Sequence, residues 1–215
     1  MGIIAKKKKD KKSFQTVLKE FPSEVKKNWK MKTAILMIAP IALLIDQITK
    51  SLVVRFIPLY GSLWGDPYEG ILRIIHVRNT AIAFGLGRGF ADEVKTVLFI
   101  LLPLIIVISL IVYSLYKNEQ PLYQRIAFAL IIGGGLGNLA DRIFRPGNVV
   151  DFVDTIWFGI DALRDIPLLK LLSFERWPTW NFADACVVVA VAILVVGMIS
   201  EEIQTRKRKK KKQSA

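Results

Sequence analysis

The residues able to do chemistry are concentrated in two short runs. The stretch IIGGGLGNLADRIFRPGNVVDFVD, residues 131–154, turns from apolar sequence to glycine and then supplies Asn138, Asp141, Arg142, Asp151 and Asp154. A second run, WNFADA, places Asn181 and Asp184 at the mouth of the last apolar segment. Ionisable groups at the edge of an apolar span are costly to place, so they mark a candidate functional site. Two carboxylates from different helices, near the same membrane surface, suit acid/base activation of water. At close range both cannot ionise easily, so one keeps its proton and the other can act as base. Their titration then belongs to the pair.

The elements that must hold these groups follow from composition. The 215 residues are 53% hydrophobic yet carry a formal charge of +13, with Lys and Arg massed before residue 33 and after residue 205. Four apolar stretches reach the roughly 20 residues a helix needs to cross a bilayer. They cover about 33–56, 94–116, 124–143 and 182–203. The reading is an α-helical polytopic membrane protein of four transmembrane helices with a small extracytoplasmic β-containing subdomain. A basic arm (1–32) precedes the four-span domain (33–203), and a basic tail (204–215) follows it. The positive-inside bias puts both termini in the cytoplasm and the loops at about 57–92 and 144–181 outside.

The first span contains LLIDQITK, whose Asp46 and Lys50 stand four apart and can pair on one helix face. The run ILRIIHVRN reads as a short strand ending in Asn79, and the glycine-punctuated NTAIAFGLGRG after it suits the lip of a peptide site. Pro103 should kink the second span. In the third, Gly133 and Gly137 give a small-xxx-small spacing, and Gly134 stands between them; these glycines either pack helices or leave room for substrate. Asn138 and Arg142 should share a face, with Asp141 pointing elsewhere. If VVDFVD is extended, Asp151 and Val153 lie on one side; if helical, Asp151 and Asp154 do. Asn181 and Asp184 should share the first turn of the fourth span, where a carboxylate suits the helix dipole.

In the arm, Phe14, Leu18, Phe21 and Val25 fall at helical spacing between lysines, which predicts an amphipathic helix on the inner membrane face. Ser13 can cap it, and Pro22 can interrupt it. The single Cys186 excludes an internal disulfide and should simply pack; the single His76 excludes a multi-His zinc site. There is no Walker loop, no nucleophile elbow and no dinucleotide fingerprint. Two rival chemistries remain: a metal-dependent lipid-modifying enzyme with Asp151, Asp154 and Asp184 on Mg²⁺, and a small transporter relaying protons through Asp46, Lys50, Asp151 and Asp184.

LLIDQITK, VRNTAIAFGL, GGGLGNLADRIFRPGNVVDFVD and WNFADA, in this order at the span edges, resemble the lipoprotein signal peptidases (signal peptidase II) over about residues 36–200. The resemblance implies a four-span aspartic peptidase of the bacterial inner membrane, working near the outer face without cofactor or metal. Its substrate would be a prolipoprotein, cut at the lipobox just before the diacylglyceryl-modified cysteine, and its partners would include membrane lipids but no nucleic acid. Asp151 and Asp184 would be the catalytic dyad. Asp46, Lys50, Asn79, Gly134, Asn138, Asp141, Arg142 and Asn181 would shape the site or bind substrate. The default assembly is a monomer. Ala81 and Gly135 stand where the family often has Gly and Ala.

Overall fold

The structure, a computed structural model, describes residues 14–63, 71–79, 89, 91–145, 149–156 and 176–213. In chain order these form α1 (Phe14–Lys26), α2 (Trp29–Leu36), α3 (Ile38–Phe56), β1 (Leu72–Asn79), α4 (Asp92–Thr96), a π-helical turn (Val97–Leu101), α5 (Leu102–Tyr116), α6 (Leu122–Phe144), β2 (Val149–Thr155) and α7 (Phe182–Gln213). Four helical stretches are long and apolar enough to cross a membrane: Trp29–Phe56, Glu93–Tyr116, Leu122–Phe144 and Phe182–Lys210. Their outward faces are apolar, with Ile41, Leu44, Ile48, Ile105, Val112, Val188 and Val195 all exposed. The fully buried large side chains are instead Lys32, Lys50, Val150, Asn181, Asp46 and Asp141, mostly polar or charged. A chain with an apolar exterior and a polar interior is built for lipid, where buried charges must face protein partners.

Close helix approach is set by glycine on α6. A Cβ at Gly133 would lie 2.7 Å from the carbonyl oxygen of Ala39 on α3, and one at Gly134 would lie 2.5 Å from that of Ala183 on α7. One at Gly137 would collide with the Asp46 carboxylate. Gly133 and Gly137 therefore admit α3 and Gly134 admits α7, so all three are helix contacts. Ala39, Val107 and Ile132 form the apolar core where α3, α5 and α6 meet. Pro103 sits at the start of α5, and the preceding turn widens so that Leu102 N–H bonds the Val97 carbonyl. The π turn absorbs the clash a proline makes with the turn before it.

At one end of the bundle lies a small sheet. β1 and β2 pair antiparallel, with Ile74 opposite Val153 and Val77 opposite Asp151. Two residues of β1 thus face the single Phe152, a bulge that re-aims the end of the strand. Each strand also has an outer neighbour. Leu63 N–H bonds Ile74 O and His76 N–H bonds Gly61 O on the β1 side, while Trp180 N–H bonds Val153 O on the β2 side. The turn into the first of these uses Tyr60 at φ 64°, with Gly61 N–H closing onto Pro58 O. Val150 and Phe152 pack on Val53 and Ile57, fixing the sheet to the end of α3. VVDFVD is therefore a strand.

The amphipathic helix of the arm is α1, and Pro22 does not interrupt it. The proposed cap Ser13 and most of the loop after Asn79 lie outside the described residues.

Candidate active site

Strand alternation and a helix start bring the two sequence runs together. Asp151 is buried in β2, and Asn79 lies diagonally across from it on the same face of the sheet. The Asn79 Nδ2 donates to Asp151 Oδ2 at 2.9 Å, and the Asn181 Nδ2 donates to Asp151 Oδ1 at 2.7 Å. Asn181 is the residue before α7, and it forms a reciprocal cap with Asp184. The Asp184 N–H donates to Asn181 Oδ1 and the Asn181 N–H to Asp184 Oδ2, both at 3.1 Å. This is a capping-box arrangement built from Asn and Asp. It leaves Asp184 Oδ1 turned toward α6, where Asn138 Nδ2 donates to it at 2.8 Å. Asp151 is 2% exposed, while Asp184 is half-buried.

Burial, and next the nearby charge of Asp184, push the Asp151 carboxyl up to about 7 against the pull of the Asn79 and Asn181 hydrogen bonds. Desolvation and like charge disfavour the carboxylate, and hydrogen bonds donated to it favour the carboxylate.

The orientation of both asparagine amides is dictated by groups that can only donate. Lys50 Nζ donates to Asn138 Oδ1 at 2.9 Å, and Asn181 Nδ2 donates to the same oxygen at 3.1 Å, so Asn138 Nδ2 must face Asp184. The Asp184 backbone N–H takes Asn181 Oδ1, so Asn181 Nδ2 must face Asp151.

Lys50 is the hub beneath this layer. It is fully buried and pairs with Asp46 at 2.9 Å and with Asp141 at 3.0 Å. Each aspartate then grips backbone beside one of the two site carboxylates. Asp46 Oδ1 accepts the Ala183 N–H at 3.0 Å, one residue before Asp184. Asp141 Oδ2 accepts the Val150 N–H at 3.0 Å, one residue before Asp151. Gln47 spans Asp46, Asp141 and the Gly137 carbonyl, and Arg145 pairs with Asp141 at 2.8 Å. One buried ion network therefore ties α3, α6, β2 and the start of α7 together. Such a network persists only when every member is satisfied.

Three expectations are corrected or sharpened. Asp141 does not point away from Asn138; both reach Lys50, because residues three apart on a helix are neighbours as much as those four apart. Arg142 instead turns over the Phe99 ring at 5.6 Å. Asp154 lies three residues from Asp151 on a strand and so faces the other side. There it pairs with Arg73 and with Arg176, whose Nε lies 2.9 Å from Oδ2. The trio Asp151, Asp154 and Asp184 proposed as Mg²⁺ ligands is not assembled, and no group of three or more His, Cys, Asp or Glu residues converges as a metal site among the described residues.

Sequence reading missed Gln47, Arg145, Arg73 and Arg176. Arg145 was detectable as the i+4 partner of Asp141, and Gln47 adjoins Asp46. The Arg176–Asp154 pair is long-range and left no local signal.

Comparison with known proteins shows the family. The family model of signal peptidase (SPase) II matches residues 38–200. A lipoprotein signal peptidase of Borrelia garinii subsp. bavariensis is 41% identical over 151 residues, 70% of this chain and 81% of that protein. The lipoprotein signal peptidase of Borrelia hermsii is 39% identical over 159 residues, 73% and 84% of the two chains. A bacterial membrane enzyme solved by the in meso method superposes with a TM-score of 0.61 at 26% identity, over 79% of this chain and 90% of that one. With its four membrane-crossing helices and its match to the family from the first span to the last, this chain is a multi-pass membrane peptidase and belongs to the signal peptidase II family.

Proposed function

We propose that the chain removes signal peptides from bacterial prolipoproteins, cutting just before the diacylglyceryl-modified cysteine, with Asp151 and Asp184 as an aspartic dyad. The observation that carries this reading is the single bonded layer Asn79–Asp151–Asn181–Asn138–Asp184 at the end of the bundle. Asp184, at a helix N-terminus and accepting the Asn181 N–H, is the ionised partner that takes a proton from water. Asp151, buried and pushed up to about 7, is the protonated partner that donates a hydrogen bond to the scissile carbonyl. Water's hydroxyl adds to that carbonyl carbon. The tetrahedral intermediate collapses as the proton held by Asp184 passes to the leaving nitrogen, restoring the dyad.

Asp46, Lys50 and Asp141 hold the backbone beside each aspartate; Asn79, Asn138 and Asn181 orient the carboxylates; Gly134 sets the α6–α7 spacing. Arg142 is within the field of Asp184 and Asp151, and its guanidinium carries no hydrogen bond or ion pair among the described residues, which suits it to a substrate carbonyl. The site would lie near the outer face of the cytoplasmic membrane, both termini inside, with the substrate's acyl chains in lipid and the enzyme acting as a monomer without metal.

The test is cleavage of a diacylglyceryl-modified prolipoprotein by purified protein in detergent with EDTA, the new N-terminus being read by mass spectrometry. Cleavage before the lipidated cysteine supports the proposal. Inactivity of folded protein, or activity that needs added metal, overturns it.

A further inference from the structure

The basic arm lies outside the residues matched by the family model, and the chemistry above does not use it. Residues 1–32 hold eleven lysines against three acids. Within them α1 is a helix, and the sequence spacing of Phe14, Leu18, Phe21 and Val25 is that of one helical stripe. Asn28, in the left-handed conformation at φ 57°, ends α1 and turns the chain into α2 and the first span.

Two contacts fix where the arm lies. The Phe21 ring stacks on Tyr116, the last residue of α5, at 5.7 Å between centroids and 8° between planes. Lys32, almost fully buried, donates to the Leu115 carbonyl beside that tyrosine. Both contacts are at the C-terminal end of α5, so α1 sits at the end of the bundle opposite the aspartates. There Trp29 and Met31 are about half exposed, at 47% and 49%. A tryptophan at a span end is an interface anchor. The side chains of Lys26, Lys27 and Lys30 are exposed around it and, among the described residues, carry no ion pair or hydrogen bond. The same end receives the C-terminal run RKRKKKK, which continues α7 and is exposed over Arg206–Lys210.

We propose that α1 and the lysines flanking it form a docking surface for the anionic phospholipid headgroups of the bilayer leaflet away from the active site. Charge complementarity argues for that occupant. A cluster of lysines held beside a span end by aromatic packing meets the headgroup layer, whose surface potential attracts basic segments within a Debye length. A lysine run that served only to set topology would need neither a helix nor the Phe21–Tyr116 contact. The inference does not depend on the proposed function.

The experiment is amide hydrogen exchange of the full chain in nanodiscs of phosphatidylcholine alone and with about one-third phosphatidylglycerol. If opening α1 pulls its lysines from the anionic surface, exchange over residues 14–26 should slow by at least about tenfold in the anionic discs. Amides of α5 and α6 should not change and serve as the internal reference. High salt should reverse the effect, and so should Lys26→Glu, Lys27→Glu and Lys30→Glu combined, which alter only exposed side chains. Equal protection of α1 in both lipids would mean the bundle alone holds it, and equal lack of protection would mean nothing does; either overturns the proposal. Protection in neutral discs by an added RNA oligonucleotide, with none from anionic lipid, would assign the surface to nucleic acid and overturn it too.

Discussion

Replacing Lys50 with Met tests the buried ion network quantitatively. The substitution keeps the length of the stem and deletes the ammonium. Lys50 and both its aspartate partners are fully buried, and the contacts are 2.9 and 3.0 Å. Asp141 would keep Arg145 and the Val150 N–H, but Asp46 would keep only neutral donors, Gln47 and the Ala183 N–H. An uncompensated buried charge costs about 3–5 kcal/mol. The double variant Lys50→Met with Asp46→Asn removes that charge, and should recover most of the loss through a coupling of about 2 kcal/mol or more. Asn138 would also lose the donor that fixes its amide, so turnover by the folded single variant should fall well below wild type. Reversible unfolding in mixed detergent micelles measures the stabilities, and prolipoprotein cleavage measures the turnover. A single-variant loss under about 1 kcal/mol, or a double variant as damaged as the sum of its parts, would refute the reasoning.

Further outcomes are expected at four residues, Asp151, Asn79, Gly134 and Asp154. Because Asp151 is raised to about 7 and acts protonated, kcat/KM should fall as pH rises through that region. The folded state binds this proton more tightly than the unfolded chain, so the stability it contributes is full below about pH 4 and lost as pH climbs to about 7. Asn79→Ala removes a donor that favours the ionised form, so the falling limb of the pH–rate profile should move to higher pH; an unmoved limb would separate Asn79 from Asp151. Gly134→Ala places a methyl 2.5 Å from the Ala183 carbonyl, forcing α6 and α7 apart, and should cost about 1–3 kcal/mol by the same unfolding assay. Asp154→Asn should destabilise by weakening its hold on Arg73 and Arg176 while leaving the activity of the folded fraction near wild type; a collapse of kcat with stability intact would restore Asp154 to the chemistry.

Much of this arrangement was legible from local pattern. The four spans follow from apolar length and β1 from the partial alternation in ILRIIHVRN, whereas VVDFVD read equally well as strand or helix. The position of Asn181 and Asp184 at the start of α7 follows from the apolar run after them. Residues whose partners are distant in sequence were not legible. Asp46 grips backbone 137 positions away at Ala183, and Asp154 meets Arg176 across a segment with no regular pattern. Periodicity gives the face a side chain occupies, but not which element arrives opposite it. The misjudgement of Asp141 has the same origin: its face was readable, and the burial of Lys50 between it and Asp46 was not. The glycines of α6 could equally have made room for substrate until the backbones of α3 and α7 were found against them.

The most direct test of the account is the nonadditivity of the two aspartates. Asp151→Asn, Asp184→Asn and the double variant should each fold, and each should lose kcat/KM on the prolipoprotein by a similar factor, on the order of a thousandfold or more, because groups acting as a unit fail together. If either single variant keeps more than about a tenth of wild-type activity, or if the double loses the product of the two single factors, the carboxylates do not share one water.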